Sequence, residues 1–200
     1  MKIFKTFMFL TITNLIADEV MKIPNLPNPV YKVRLQKSQM IPMRDNIRLS
    51  TDLYFPKIIE KKLPVILIRT PYNKNTFRNK EEKLVAHFFS SQGYIVAVQD
   101  CRGKFESEGV YSPPAGNEAN DGYDTVDWLT KQTWSNGKIG TFGCSYPGEM
   151  QMVQAPLMHP GLAAMIPQAA GGVIGAANGR YNYWAGFKGG VLDHAASISW

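Results

Sequence analysis

A serine stands between two glycines in the stretch KIGTFGCSYPGE, residues 138–149, where Ser145 follows a short apolar run. A serine hydroxyl is essentially un-ionised at neutral pH, so it attacks a carbonyl only when exposed, oriented and coupled to a base. A sharp strand-to-helix turn meets the first two conditions and aims the next backbone N–H groups at the reacting oxygen. Such a turn crowds its own neighbours, so residues close to the serine must be small. Gly143, two positions before Ser145, fits that demand; two positions after stands Pro147, with Gly148 one place later. Proline suits a first helical turn, where its missing N–H has no intrahelical partner. A plainer reading of G-x-S is a serine capping a helix. The strand–turn–helix context favours a nucleophile.

A serine nucleophile needs a general base, most often histidine. The chain offers His87, His159 and His194. His87 precedes the serine and is expected on the polar side of its helix. His159 is only fourteen positions after Ser145 and precedes Pro160, a spot that ends a helix. His194 is better placed by chain order, and with the adjacent Asp193 it would make an improvised triad; Glu149 is a second acid, in the helix after the serine. Cys144 adjoins Ser145, but neighbouring residues at such a turn point differently, so a small buried cysteine is expected there. Cys101 and Cys144 form no C-x-x-C or His/Cys cluster, and both are expected to remain thiols. Nothing implies a metal or an organic cofactor.

These residues need a scaffold. Tyr31, Val33 and Leu35 alternate with polar residues, as do Ile47, Leu49, Thr51, Leu53 and Phe55, on either side of RDN at 44–46. Period two on both sides of a turn predicts two half-buried antiparallel strands. LPVILIRT (63–70) and YIVAVQD (94–100) are continuous apolar runs of the kind found in strands buried on both faces. Between them a helix is predicted over about 79–92, with Leu84, Val85, Phe88 and Phe89 on one stripe and Gly93 as its stop. A long loop leads to a second helix, capped by Asp121, with Tyr123, Val126 and Leu129 on one side. KIGTFG (138–143) is a third strand, then a helix runs to about Met158, and LAAMIPQAA (162–170) gives a fourth strand. Alternating strands and helices after an antiparallel start predict an α/β class with a mostly parallel sheet.

Two hundred residues, 44% hydrophobic and 19% charged, suit one globular domain. The net charge of +6 comes from scattered residues, among them Lys32, Arg34, Lys37, Lys57, Lys61, Lys62, Lys74, Lys80 and Lys83. They read as a solvated surface, which argues against a nucleic-acid partner. Residues 1–17 have a basic start and an apolar stretch from Phe7 to Ala17, followed by Asp18 and Glu19. That is the layout of a secretory signal peptide, too short for a stable membrane span. A periplasmic or secreted location is therefore expected, the alternative being an amphiphilic tail on a cytoplasmic protein. Residues 18–29, with IPNLPNP at 23–29, read as a linker.

PMRDNIRLSTDLYFP, ILIRTPYNK, YIVAVQDCRGKFESEG, DGYDTVDWLTKQTWSNGKIGTFGCSYPGEMQ and HPGLAAMIPQAA occur in that order. Together they resemble the X-Pro dipeptidyl-peptidase / cocaine esterase family of α/β-hydrolases, from about residue 30 to 170. The resemblance implies that Ser145 is the acyl-accepting nucleophile of a serine hydrolase. It also implies that the Tyr72 hydroxyl and the backbone N–H of Tyr146 form the oxyanion hole. Substrates would be small esters, amides or short peptides. In this fold the triad order is Ser, acid, His, so Asp100 fails as triad acid and is expected to hold a loop through backbone N–H groups. Residues 171–200 resemble the start of a helical cap, and the family's acid and His follow later strands. The chain is thus expected to be truncated, with the strand at 162–167 an uncovered edge open to self-association. The alternative is a non-catalytic binding or assembly piece that needs a second polypeptide.

Overall fold

The computed structural model describes residues 26–79, 82–111 and 117–170, together with four short strands between 175 and 192. Contacts divide the chain between Val30 and Tyr31. Residues 26–30 of the first unit are exposed and carry no helix or strand; the described helices and strands all belong to the second unit. The predicted signal peptide at 1–17 lies outside the described residues, as do Asp193 and His194.

Six strands form one sheet in the order β1-β2-β4-β3-β5-β6. They are β1 (Val33–Pro42), β2 (Arg48–Pro56), β3 (Leu63–Thr70), β4 (Ile95–Asp100), β5 (Ser135–Cys144) and β6 (Leu162–Gln168). The first two pair antiparallel, β2 pairs antiparallel with β4, and β4, β3, β5 and β6 run parallel. The helices are α1 (Thr76–Asn79), α2 (Glu82–Ser91), α3 (Glu118–Thr130) and α4 (Tyr146–Gln154). Short strands β7 (Gly175–Ala177) and β8 (Arg180–Asn182) pair with each other, as do β9 (Phe187–Lys188) and β10 (Val191–Leu192).

The apolar runs become central strands because both their faces are covered. On β3, Val65 and Leu67 join one cluster with Leu53, Val126, Leu129 and Ile139, while Ile66 and Ile68 join another with Tyr54, Ala86 and Val98. Thus α3 packs on one face and α2 on the other. Gly93, at φ 94°, stops α2. The turn at 44–46 closes β1 on β2 through Asn46 at φ 67°, with the Met43 N–H donating to the Ile47 carbonyl.

Three expectations change. The second strand is not half-buried: flanked by β1 and β4, it is buried from Leu49 to Pro56, including Ser50 and Asp52. Asp121 does not cap its helix, which starts at Glu118 after Asn117; Asp121 instead receives the guanidinium of Arg102 at 2.6 Å. The helix after Ser145 ends at Gln154, and a 3-10 turn over Ala155–Leu157 carries Pro156, which cannot donate to a continuing ladder.

The strand β6 lies at the end of the sheet and pairs with β5 alone among the described residues, leaving Ile166 48% exposed.

Candidate active site

Ser145 occupies the single position between β5 and α4. Its backbone sits at φ 61°, ψ −128°, a conformation that L-residues rarely adopt and that costs about 1–3 kcal/mol. Surrounding bonds hold it there. The Ser145 N–H donates to the Gln168 carbonyl at 2.9 Å, and the Ser145 carbonyl accepts from the N–H groups of Gly148 and Glu149 at 2.7 and 2.9 Å. Both flanking glycines are sterically required. A Cβ on Gly143 would collide with Pro147, whose carbonyl carbon would lie 2.8 Å away, and one on Gly148 would stand 2.6 Å from the Gln168 carbonyl oxygen. The small residue two places after a conventional elbow serine is therefore not missing. Its work is done by Gly148, because Pro147 packs against Gly143 and Gly148 packs against β6.

Gln151 pins this turn from below and went unnoticed in the sequence. Its buried Oε1 accepts from Thr141 Oγ1 and the Ile166 N–H at 2.9 and 3.1 Å, while Nε2 donates to the Pro147 and Ile166 carbonyls. One amide thus ties α4 to β5 and β6. A polar residue on the buried side of a helix is its only sequence signal.

Tyr72 lies just past the end of β3, the parallel neighbour of β5. Leu67 pairs with Thr141, so the chain leaves the two strands at the same level, with strand axes about 4.8 Å apart. Tyr72 and Ser145 therefore emerge together at the carboxyl edge, where ligands bind in open α/β sheets. Tyr72 is 42% exposed, and its N–H donates to Thr70 Oγ1 at 3.0 Å.

Asp100 ends β4 at the same edge and holds a loop through backbone amides, as expected. Its Oδ1 accepts from the Lys74 N–H at 2.7 Å and its Oδ2 from the Glu106 N–H at 3.5 Å. Burial pushes its carboxyl above the usual range, partly offset by Lys74. Lys74 itself corrects the sequence reading: it is no surface lysine but wholly buried, its Nζ 2.5 Å from Glu106 Oε2 and 3.4 Å from Asp100 Oδ2.

The other oxyanion candidate, the N–H of Tyr146, begins α4. The Tyr146 ring is buried against Cys101, Met150 and Tyr111. Burial, the neighbouring Glu118 and Tyr111 push its phenol up. Beneath it Arg69 is buried, donating to the Glu118 carboxylate at 2.9 Å, the Glu118 carbonyl at 2.7 Å and Gln99 Oε1 at 3.1 Å.

The two described histidines stand elsewhere. His159 precedes β6, whose first residue pairs with Ile139, so it lies at the amino edge of the sheet. Seven strand residues separate it from the level of Ser145, about 23 Å at 3.3 Å each. It is buried there, its Nδ1 accepting from the Gly161 N–H at 2.9 Å and its ring against Tyr123. His87 is not on a solvated face; it is partly buried, edge-on to the Tyr54 ring at 5.6 Å. Glu149 is buried in α4. Cys101 and Cys144 are both free thiols, Cys101 buried. Cys144, expected to be buried, is exposed: β5 turns Thr141 and Gly143 inward, so Cys144 faces the other way at the strand's end.

Strand order, the strained serine after β5 and the two flanking glycines define an α/β-hydrolase. Residues 45–200 match the model of the X-Pro dipeptidyl-peptidase (S15) family, and the chain belongs to that family of serine hydrolases. It is 38% identical over 162 residues to the cocaine esterase of Rhodococcus sp. (strain MB1 Bresler), an alignment covering 80% of this chain and 27% of that protein. Among solved structures, an aminopeptidase from a marine sediment archaeon (Thaumarchaeota archaeon) superposes with a TM-score of 0.60 at 32% identity, over 74% of this chain and 28% of the other. A CocE/NonD family hydrolase from Staphylococcus aureus gives a TM-score of 0.61 at 32% identity, over 68% and 27%. The chain thus spans between a quarter and a third of the length of these relatives.

Proposed function

We propose that Ser145 is the acyl-accepting nucleophile of a hydrolase acting on small esters, amides or short peptides, with the Tyr72 hydroxyl and the Tyr146 N–H as oxyanion donors. The observation that carries this reading is the strained backbone of Ser145, at φ 61° and ψ −128° in a turn where two glycines leave no room for a Cβ. Strain of this kind persists only where surroundings enforce it, and it concentrates at reacting residues. In the proposed step Ser145 Oγ adds to the carbonyl carbon as its proton passes to a base. The carbonyl oxygen takes the negative charge between the two donors, and the leaving alkoxide or amine departs protonated. One such donor is typically worth about 2.7–4 kcal/mol in the transition state.

Neither described histidine serves as that base, since His159 lies at the opposite sheet edge and His87 packs on Tyr54. The base therefore comes from outside the described residues, in this chain or in a second polypeptide. An ester or amide specificity like that named for the esterase and aminopeptidase relatives is the proposed range. Export through residues 1–17 and self-association along β6 are part of the same proposal. Finding the mature N-terminus at Asp18 in the periplasmic or secreted fraction supports export; an intact Met1 in the cytoplasm refutes it. A concentration-independent monomer in sedimentation refutes association. The catalytic reading is tested with a fluorophosphonate probe and peptide mapping. A phosphonyl group on Ser145, absent from Ser145→Ala, supports it, and folded protein that never labels overturns it.

A further inference from the structure

The loop carrying Tyr72 is fastened on both sides of the tyrosine. Before it, Thr70 Oγ1 accepts from the Tyr72 N–H at 3.0 Å; after it, Asp100 Oδ1 accepts from the Lys74 N–H at 2.7 Å. Between the two, Asn73 takes a left-handed φ of 81°, and its Oδ1 accepts from the Asn75 N–H at 2.9 Å. The Lys74 side chain then turns inward. Its Nζ lies 2.5 Å from Glu106 Oε2, 3.4 Å from Asp100 Oδ2 and 4.0 Å from Asp52 Oδ1, and the side chains of Lys74, Asp52 and Asp100 are wholly buried. Glu106 also accepts from Ser38 Oγ at 2.6 Å, Ser50 Oγ at 3.2 Å and Asn75 Nδ2 at 3.2 Å. The ammonium and the three carboxylates around it therefore join β2, the end of β4 and the Tyr72 loop, and Ser38 ties β1 to the same cluster through Glu106 and Asp52.

As a device for stability this cluster is poorly chosen. Desolvating its charges is expensive, and apolar residues of similar volume often hold a core as well or better. What the cluster adds is direction, because ion pairs and charge-assisted hydrogen bonds fix a loop at a point. An oxyanion donor needs that, since it works only within about 2.7–3.1 Å of the developing charge. A misplacement of about 1 Å can cost about 10²-fold in rate. Tyr72 is 42% exposed, and the bonds that fasten the backbone on both sides of it contribute directly to its aim.

We propose that Lys74, through its cluster with Asp52, Asp100 and Glu106, is a positioning residue that sets the Tyr72 hydroxyl as an oxyanion donor for Ser145. This rests on the reading of Ser145 and Tyr72 given above. The test is the rate of fluorophosphonate labelling of the full chain, per folded molecule, in the wild type, Tyr72→Phe, Lys74→Met and the double variant. Tyr72→Phe is expected to slow labelling by about a hundredfold, Lys74→Met by a comparable factor, and the double variant no further than Tyr72→Phe. A purely structural lysine would lower the melting temperature but leave the labelling rate of folded protein unchanged, or slow it equally with and without Tyr72; either result overturns the proposal. Glu106→Gln, which keeps the side-chain shape at a partly exposed position, carries the same comparison if Lys74→Met does not fold. It should slow labelling only while Tyr72 is present. A wild type that never labels, or that labels regardless of Tyr72→Phe, overturns the reading of the site, and the role of Lys74 with it.

Discussion

Replacing Gly143 by alanine should damage the turn that presents Ser145, at a cost set by the atoms packed against it. The added methyl would overlap the Pro147 ring, with the Pro147 carbonyl carbon and oxygen 2.8 and 2.9 Å away. Those are backbone atoms at the first turn of α4, so no flexible side chain can yield. Moving Pro147 would pull on the bonds from Gly148 and Glu149 to the Ser145 carbonyl. Overpacking of this kind costs typically about 1–3 kcal/mol. For a chain of this size each kcal/mol shifts the melting temperature by about 2–4 °C, so a drop of roughly 2–12 °C is expected. Gly140→Ala, on the same strand, is the control, because its nearest neighbours would lie 3.9 Å away, in ordinary contact. It should be neutral or stabilising by up to about 1 kcal/mol, since glycine is disfavoured within a strand. Urea unfolding of both variants, with phosphonate labelling alongside, measures the difference. Equal stabilities, or a Gly143→Ala protein that labels at the wild-type rate, would refute the steric account of the elbow.

Other consequences are open to measurement. Ser145→Gly should be more stable than Ser145→Ala by about 1–3 kcal/mol in denaturant unfolding, because only glycine adopts that backbone without strain. Arg69→Met should cost about 3–5 kcal/mol by leaving the buried Glu118 carboxylate unpaired, and most of that should return in Arg69→Met/Glu118→Met, as followed by thermal unfolding. The Lys74 hydrogen bond holds the Glu106 carboxyl down at about 2, against an ordinary 4.5. A depressed folded value contributes stability above 4.5 that is lost as pH falls towards 2. Asp100, raised by burial, acts with the opposite sign, folding gaining from its protonation at a pH above its ordinary 3.8. Melting curves should therefore lose stability more steeply between about pH 4.5 and 2 in the wild type than in Glu106→Gln; parallel curves would contradict that coupling.

Much of the frame was legible because its cause is local. The apolar runs at 63–70 and 94–100 became central strands, since a run without alternation suits only a strand covered twice. The elbow was legible too, because crowding at a turn leaves its mark as glycine. Charge was misread. Asp52 sits on the polar phase of an alternating strand, and Lys74 in a loop of polar residues, so both looked solvated; both are buried because they meet at the sheet edge. That meeting joins residues from four segments, and no window of sequence contains it. For the same reason Gln151 and the Arg69–Glu118 pair were silent. Asp121 looked like a cap by type and position, yet Arg102 claims its carboxylate. The exposure of Cys144 and the placement of His159 at the far edge follow from strand phase and register, which periodicity alone does not set.

The nucleophilic role of Ser145 is tested most directly by intact-mass measurement of the chain mixed with an activated aryl ester and quenched in acid, followed by peptide mapping. One acyl group on the peptide containing Ser145, absent from Ser145→Ala and slower to form in Tyr72→Phe, is the predicted result. Folded protein that stays unmodified, or that carries the acyl group on Cys144 instead, would contradict it.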